Sequence, residues 1–204
     1  MDAYLSGLEQ RAARGLPVDG IASVASFFVS RVDTKVDALL QKIVAEGDGE
    51  RAQAAGKMLG KAAIANACLA YADFQEFFAS ERFQKIRKAG GRPQRPLWAS
   101  TSTKNPAYRD VMYVEELVAP QTVNTVPPQT LVALLDHAEV RPDALEANIS
   151  AAREVFETLD KLGISMDDVT HQLEIEGVKA FSDSYRELLE TVEARRQGVS
   201  AQAG

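Results

Sequence analysis

One cysteine, Cys68, in 204 residues rules out an internal disulfide and leaves no cysteine cluster for a metal. The two histidines, His137 and His171, lack metal-ligand spacing to each other or to Cys68, so no metal is expected and both are assigned to helix surfaces. Cys68 itself is expected as a small buried apolar residue on a helix. Long apolar runs are also missing: nowhere do about eighteen apolar residues follow one another, which excludes a membrane-spanning helix. Met1-Asp-Ala-Tyr-Leu-Ser-Gly7 has neither the basic opening nor the apolar core of a secretory signal. The expectation is a water-soluble, cytoplasmic protein with no membrane partner. Excess positive charge is absent as well. With 23 Lys and Arg against 29 Asp and Glu the formal charge is -6, which speaks against a nucleic-acid partner, since such domains carry a basic face. Any anion site must then be local.

What remains is ordinary globular composition, 46% hydrophobic and 25% charged, long enough for one domain with its own core. Residues 1–197 are read as a single domain and 198–204 as a flexible tail. Asp2 to Arg14 predicts a short helix closed by Gly15, with proline just beyond. Ile21 to Val29 predicts a strand buried on both faces, ending at Ser30-Arg31. Asp33 and Thr34 are then assigned as capping residues and Asp37 completes a Thr-x-x-Asp box, opening an amphipathic helix through Val36, Leu39, Leu40, Ile43 and Val44. Glu46 to Glu50 reads as a loop, and one long helical stripe follows from Leu59 to about Phe83.

Pro96 to Ser100 and Val123 to Val126 are the second and third strand candidates. Tyr108 to Leu117 predicts a helix between them, and Pro127-Pro128 starts another through Leu131 to His137. The alternation of strand and helix implies parallel strands with crossover helices, an α/β fold. Beyond Arg141 only helices are predicted. Pro142-Asp143 opens one, with Leu145, Ile149, Phe156 and Leu159 inward and Gly163 at its end. Ser165 with Asp168 caps the last, which turns Leu173, Val178, Phe181, Tyr185 and Leu188 inward as far as about Arg196.

The stretch Arg95-Pro-Leu-Trp-Ala-Ser-Thr-Ser-Thr-Lys-Asn-Pro-Ala-Tyr108 runs a short strand into hydroxyls, one lysine and a turn. An α/β barrel grips a phosphorylated sugar with this kind of layout. A guanidinium bonds two phosphate oxygens, an ammonium neutralises charge and hydroxyls donate to the rest. Arg31, Ser100, Ser102 and Lys104 fall at the C-terminal ends of predicted strands, the end that carries the active site in such barrels. Ser100 and Ser102 share strand parity, as do Ser26 and Phe28, so each pair is expected on one face.

Four segments, Val24 to Asp33, Gly60 to Asn66, Pro96 to Asn105 and Tyr113 to Pro128, resemble those of transaldolases in the same order, and the resemblance extends to about Arg195. It implies the C-terminal part of a (β/α)₈ TIM barrel: a helix after strand five, then strands six to eight, then C-terminal helices. The implied activity belongs to the pentose phosphate pathway. A dihydroxyacetone unit passes between ketose and aldose phosphates, such as fructose 6-phosphate and sedoheptulose 7-phosphate, through a Schiff base and without metal or organic cofactor. By the same resemblance Arg31, Ser100 and Ser102 contact the phosphate, and Ser26 and Phe28 line the sugar pocket. Many relatives carry arginine at the position of Ser102, so Lys104 is assigned as the substitute cation. The family's Schiff-base lysine, aspartate and glutamate belong to strands that would precede Met1, so no catalytic residue is assigned within this chain.

Trp98 is assigned to packing in the barrel interior, Asn105-Pro106 to the turn, and Lys57 and Lys61 to helix rather than to any nucleophilic role. A sheet of three parallel strands leaves two open edges, and the isolated chain is therefore expected to aggregate or fold incompletely. Two other readings stand beside the enzyme. One is a non-catalytic, helix-rich remnant that binds a partner or a sugar phosphate; the other is half of a split enzyme, whose partner is an N-terminal barrel half.

Overall fold

A computed structural model of the chain describes residues 1–47 and 49–202. Asp48, within the loop expected at 46–50, and the last two residues of the expected tail lie outside the described residues. Contacts divide the chain into two compact units, Met1–Ile164 and Ser165–Gly204.

In the first unit α1 (Asp2–Ala13) ends as its sequence predicts. Gly15, at φ 69°, takes the left-handed conformation that lets its amide reach the Ala12 carbonyl and the Leu16 amide reach that of Arg11. Three parallel strands follow among the described residues: β1 (Ser23–Phe28), β2 (Gln94–Ala99) and β3 (Val123–Asn124), in the order β1-β2-β3. The expected α/β order with a parallel sheet is present. β2 begins two residues before its expected start and ends one residue short of its expected end, while β1 and β3 are shorter than the sequence reading, β3 by half. Proline at 127 ends the ladder, although the Thr125 amide still donates to the Trp98 carbonyl at 2.9 Å.

Register fixes the two faces of the sheet. Phe27 lies beside Trp98 on one face, edge to face at 5.7 Å, and Trp98 is fully buried there. Val24, Ser26 and Phe28 point to the opposite face, where Val24 and Phe28 are each 40% exposed. The strand expected to be buried on both faces is thus half open. Trp98 does pack, but on the side away from Ser26 and Phe28.

Helix α2 (Ser30–Glu46) begins directly after β1 and buries Val32, Val36 and Leu40, while Leu39 and Val44 stay exposed. The single stripe predicted from Leu59 to Phe83 is two helices, α4 (Ala62–Ala79) and the start of α5 (Glu81–Lys88), and a further helix, α3 (Gly49–Met58), precedes it. The breaks have local causes. Gly60 takes a left-handed turn at φ 70°, and Ser80 leaves the helix to accept the Phe83 amide at 3.4 Å as an N-cap. Periodicity survives such breaks because the helices that follow still face one core. Tyr71, Phe74, Phe78 and Phe83 run through that core with centroids 4.8–5.7 Å apart.

Of the helix expected at 108–117 only α6 (Met112–Glu116) forms, since the residues before it are spent on turns. Pro128 opens α7 (Pro128–His137) as its first helical residue, as expected. Past α8 (Ala144–Ala147), α9 (Ile149–Lys161) packs on α4 and buries Ala152 and Leu159.

The second unit is α10 (Met166–Gln202), a helix of 37 residues. Ser165 caps it, accepting the Asp168 amide at 3.2 Å. Val178, Phe181, Tyr185 and Leu188 were expected inward but are exposed, because a lone helix has no second layer within its own unit to bury a stripe against. The helix also passes beyond Arg196 into the expected tail, its late turns supported by Arg196 and Gln197 bonding to Glu193. No helix among the described residues is long and apolar enough to cross a membrane.

Candidate phosphate site at the end of the second strand

The site is built where β1 turns into α2. Pairing with β2 does not stop with the strands: the Val29 amide donates to the Ala99 carbonyl at 2.9 Å and the Ser30 amide to the Ser100 carbonyl at 3.0 Å. The hydroxyls of Ser30 and Ser100 then meet at 2.9 Å. The first turn of α2 is therefore stitched to the end of β2. Arg31, one residue on, is exposed and holds its guanidinium over the Phe28 ring, 5.2 Å from the centroid. Phe28 and Ser26 belong to the open face of the sheet, and both are exposed.

Beyond β2 the chain bends. Ser100 sits at φ 57°, a left-handed conformation unusual for a residue with a side chain. Strand parity ends there, so the expectation that Ser100 and Ser102 share a face fails: β2 stops at Ala99 and the turn at Ser100 resets the alternation. The two hydroxyls have different partners. Ser100 bonds Ser30, whereas Ser102 accepts from the Lys104 ammonium at 2.8 Å. Between them Thr101 is fully buried and donates to the Thr125 carbonyl at 2.7 Å. Thr103 reaches the carbonyls of Arg109 and Asp110 at 3.0 and 3.3 Å. Asn105 accepts the Ala107 amide at 2.9 Å, shaping the turn as expected.

The predicted residues thus form three contacts, Arg31 on Phe28, Ser30 on Ser100, and Lys104 on Ser102, joined through the seam between α2 and β2. Two cavities of about 450 and 590 Å³ lie elsewhere in this unit and are lined by none of these residues. Among the described residues no group of three or more His, Cys, Asp or Glu side chains could hold a metal ion.

The capping roles assigned to Asp33, Thr34 and Asp37 are wrong. Because α2 starts at Ser30, all three lie inside the helix, and Thr34 bonds back to the Ser30 carbonyl at 3.0 Å. Asp33 is buried at 2% exposure, accepting the Ala63 amide at 2.7 Å on one oxygen and the Tyr113 hydroxyl at 2.7 Å on the other. Asp37 repeats the pattern one turn later with the Gly60 amide at 2.9 Å and the Tyr108 hydroxyl at 2.6 Å. Burial pushes the Asp33 carboxyl up to about 6, against the pull of its two donors. Desolvation and the nearby carboxylates push Tyr108 and Tyr113 upward as well. The signal was present in the sequence, since Asp33 and Asp37 fall on the same helical stripe as Val36 and Leu40.

Glu115 is buried and takes a two-pronged contact from Arg109, both bonds at 3.0 Å. His137 bonds Asp110 at 2.9 Å and Asp136 at 3.0 Å, and these carboxylates raise its pKa. Lys57 lies in the last turn of α3 and Lys61 just ahead of α4, neither on a strand.

Residues 4–192 match the family described as Transaldolase/Fructose-6-phosphate aldolase. The chain is 54% identical over 192 residues to a protein named transaldolase from Saccharopolyspora erythraea, covering 94% of this chain and 50% of that one. It is 49% identical to a transaldolase from Mycolicibacterium smegmatis, with 96% and 51% covered. A protein named transaldolase 2 from Streptomyces coelicolor is 48% identical, with 100% and 53% covered. The chain spans about half the length of the relatives it matches.

Proposed function

Since the chain belongs to the transaldolase and fructose-6-phosphate aldolase family, we propose that it supplies the phosphate-binding side of a transaldolase active site. In that reaction a dihydroxyacetone unit passes from a ketose phosphate to an aldose phosphate through a lysine Schiff base. The strands that carry the lysine and its acid and base partners in this family have no counterpart among residues 1–204. The part this chain plays is recognition of the substrate, in the cytoplasm, with the fold of a (β/α)₈ barrel's last three strands.

The observation that supports this reading best is the seam at Ser30 and Ser100, with hydroxyls 2.9 Å apart, which holds the helix of Arg31 against the turn of Ser102 and Lys104. Arg31 offers two parallel donors to phosphate oxygens; Lys104 offers charge, and the serine hydroxyls donate to what remains. Phe28 and Ser26, on the open face of β1, suit the sugar carbons and hydroxyls. Phe28 already stacks with Arg31 and so orients its guanidinium. Titration of the chain with fructose 6-phosphate, followed by backbone amide shifts, is expected to move Arg31 and Ser100 to Lys104 while fructose does not. Equal responses to both sugars would rule out a phosphate site. Borohydride reduction in the presence of fructose 6-phosphate should trap no adduct on this chain.

One observation favours a partner for the sheet. Among the described residues β1 pairs with β2 alone, and its open face exposes Val24 and Phe28, so we read its other edge as the place where a further strand of the barrel adds. Amides of β1 should then exchange quickly in the chain by itself and slowly once such a strand is supplied.

A further inference from the structure

We infer that the two aspartate–tyrosine pairs, Asp33 with Tyr113 and Asp37 with Tyr108, are positioning residues for the phosphate site: they lock the helix that carries Arg31 to the segment that carries Ser100, Ser102 and Lys104. The inference rests on the reading of that seam as a phosphate site.

Its support is a repeated geometry. Each carboxylate stands on α2 and places one oxygen on a backbone amide at the start of α4, Ala63 or Gly60, and the other on a tyrosine hydroxyl from the segment after β2. Asp33, Asp37 and Tyr113 are buried, with exposures of 2, 6 and 2%. Bonds in such surroundings are directional and costly to leave unmade, so they set distance and angle where apolar contact would allow sliding.

The tyrosines are tied in turn to the functional residues. The Tyr108 amide donates to the Asn105 carbonyl at 3.1 Å, and Thr103 bonds the carbonyls of Arg109 and Asp110, so Lys104 is enclosed in a loop whose closing residues flank Tyr108. Displacing Tyr108 displaces Lys104. At the opposite end Arg31 is two residues from Asp33 on the same helix. Without the aspartate–tyrosine pairs, the relation between Arg31 and Lys104 would depend on the β1–β2 ladder and its continuation through Val29, Ser30 and Ser100. Gly60 belongs to the device: a β-carbon there would stand 2.8 Å from the Tyr108 ring, so the turn must be glycine for the ring to lie against it.

The test uses the full chain with two readouts. Tyr113→Phe and Tyr108→Phe each remove a single hydroxyl, and each is expected to weaken fructose 6-phosphate binding about tenfold. They should also speed amide exchange across Ser100 to Lys104 while leaving that of α9 unchanged. Asp37→Asn, which still offers an acceptor to Gly60 and a donor to the tyrosine oxygen, should hold binding within about threefold of wild type, where Asp37→Ala loses about tenfold. A bond that served stability alone would lower the melting temperature and leave exchange and affinity at the seam untouched, and that result overturns the inference. If Tyr113→Phe fails to fold, Tyr108→Phe, half-buried, decides the question. A wild-type chain that shows no response to fructose 6-phosphate overturns the phosphate reading and the positioning role with it. Loop exchange in the tyrosine variants then shows separately whether the mechanical link is real.

Discussion

The Tyr113 hydroxyl donates to the buried Asp33 carboxylate at 2.7 Å across 80 residues of sequence, tying the helix after the first strand directly to the segment after the second. Its consequences are electrostatic as well as geometric.

Burial raises the Asp33 carboxyl from 3.8 to about 6, so the folded state binds that proton more tightly than the unfolded chain does. From Asp33 alone, stability is greatest below pH 3.8, falls as pH rises toward 6, and levels off above. The full span corresponds to about 3 kcal/mol. Asp33→Asn keeps an acceptor for Ala63 and has no proton to lose, so its stability relative to wild type should improve steadily between pH 4 and 7. Urea unfolding at intervals across that range checks it; a constant difference would contradict the raised value.

His137 has the same sign from a different cause, attraction to carboxylates rather than burial. Its pKa is raised by Asp110 and then Asp136, so its charged form stabilises the fold fully below pH 6.5, and that contribution disappears as pH climbs through the folded pKa. Its imidazole resonances should titrate above 6.5 in the wild type, and Asp110→Asn should bring them back toward that value.

Gly60→Ala is expected to cost about 2 kcal/mol, combining a left-handed residue that now carries a side chain with a contact against the Tyr108 ring. Part of that cost should be recovered in the Tyr108→Ala background, where the ring is gone and only the backbone strain is left. Additive effects of the two substitutions would show that ring and glycine do not meet.

Arg31→Ala and Lys104→Ala are each expected to reduce fructose 6-phosphate affinity about tenfold with no effect on fructose, and the wild-type affinity should fall with added salt. Lys42→Ala, on the exposed side of α2 beside Glu46, is the control and should change neither. A normal affinity in Lys104→Ala would remove that lysine from the site and leave its bond to Ser102 as loop structure.

Much of this was legible from residue order. Alternating strand and helix signals gave parallel strands, Pro128 marked the start of α7, Ser165 the start of α10, and the hydroxyls clustered past β2 are what marked the candidate site. What escaped was anything decided by a neighbour distant in sequence. Asp33 and Asp37 look like caps because aspartate near a helix start usually is one, although their place on the stripe of Val36 and Leu40 marks them as inward, and the partners Tyr113 and Tyr108 show what that inward position is for. Helices α4 and α5 share an inward face, so their periodicity runs straight through the break at Ser80. The parity argument for Ser102 failed at one backbone angle, the φ of Ser100, on which strand alternation carries no information.

That angle leads further. A left-handed residue is most comfortable as glycine, yet position 100 carries serine, whose hydroxyl meets Ser30. Side chain and backbone therefore have opposed preferences at one atom's distance: Ser100→Gly would relax the turn while deleting a hydroxyl from the seam. A fold that keeps the less comfortable residue in this place has given up stability it could have had, and the trade is visible only if stability and ligand affinity are measured on the same variant and found to move in opposite directions.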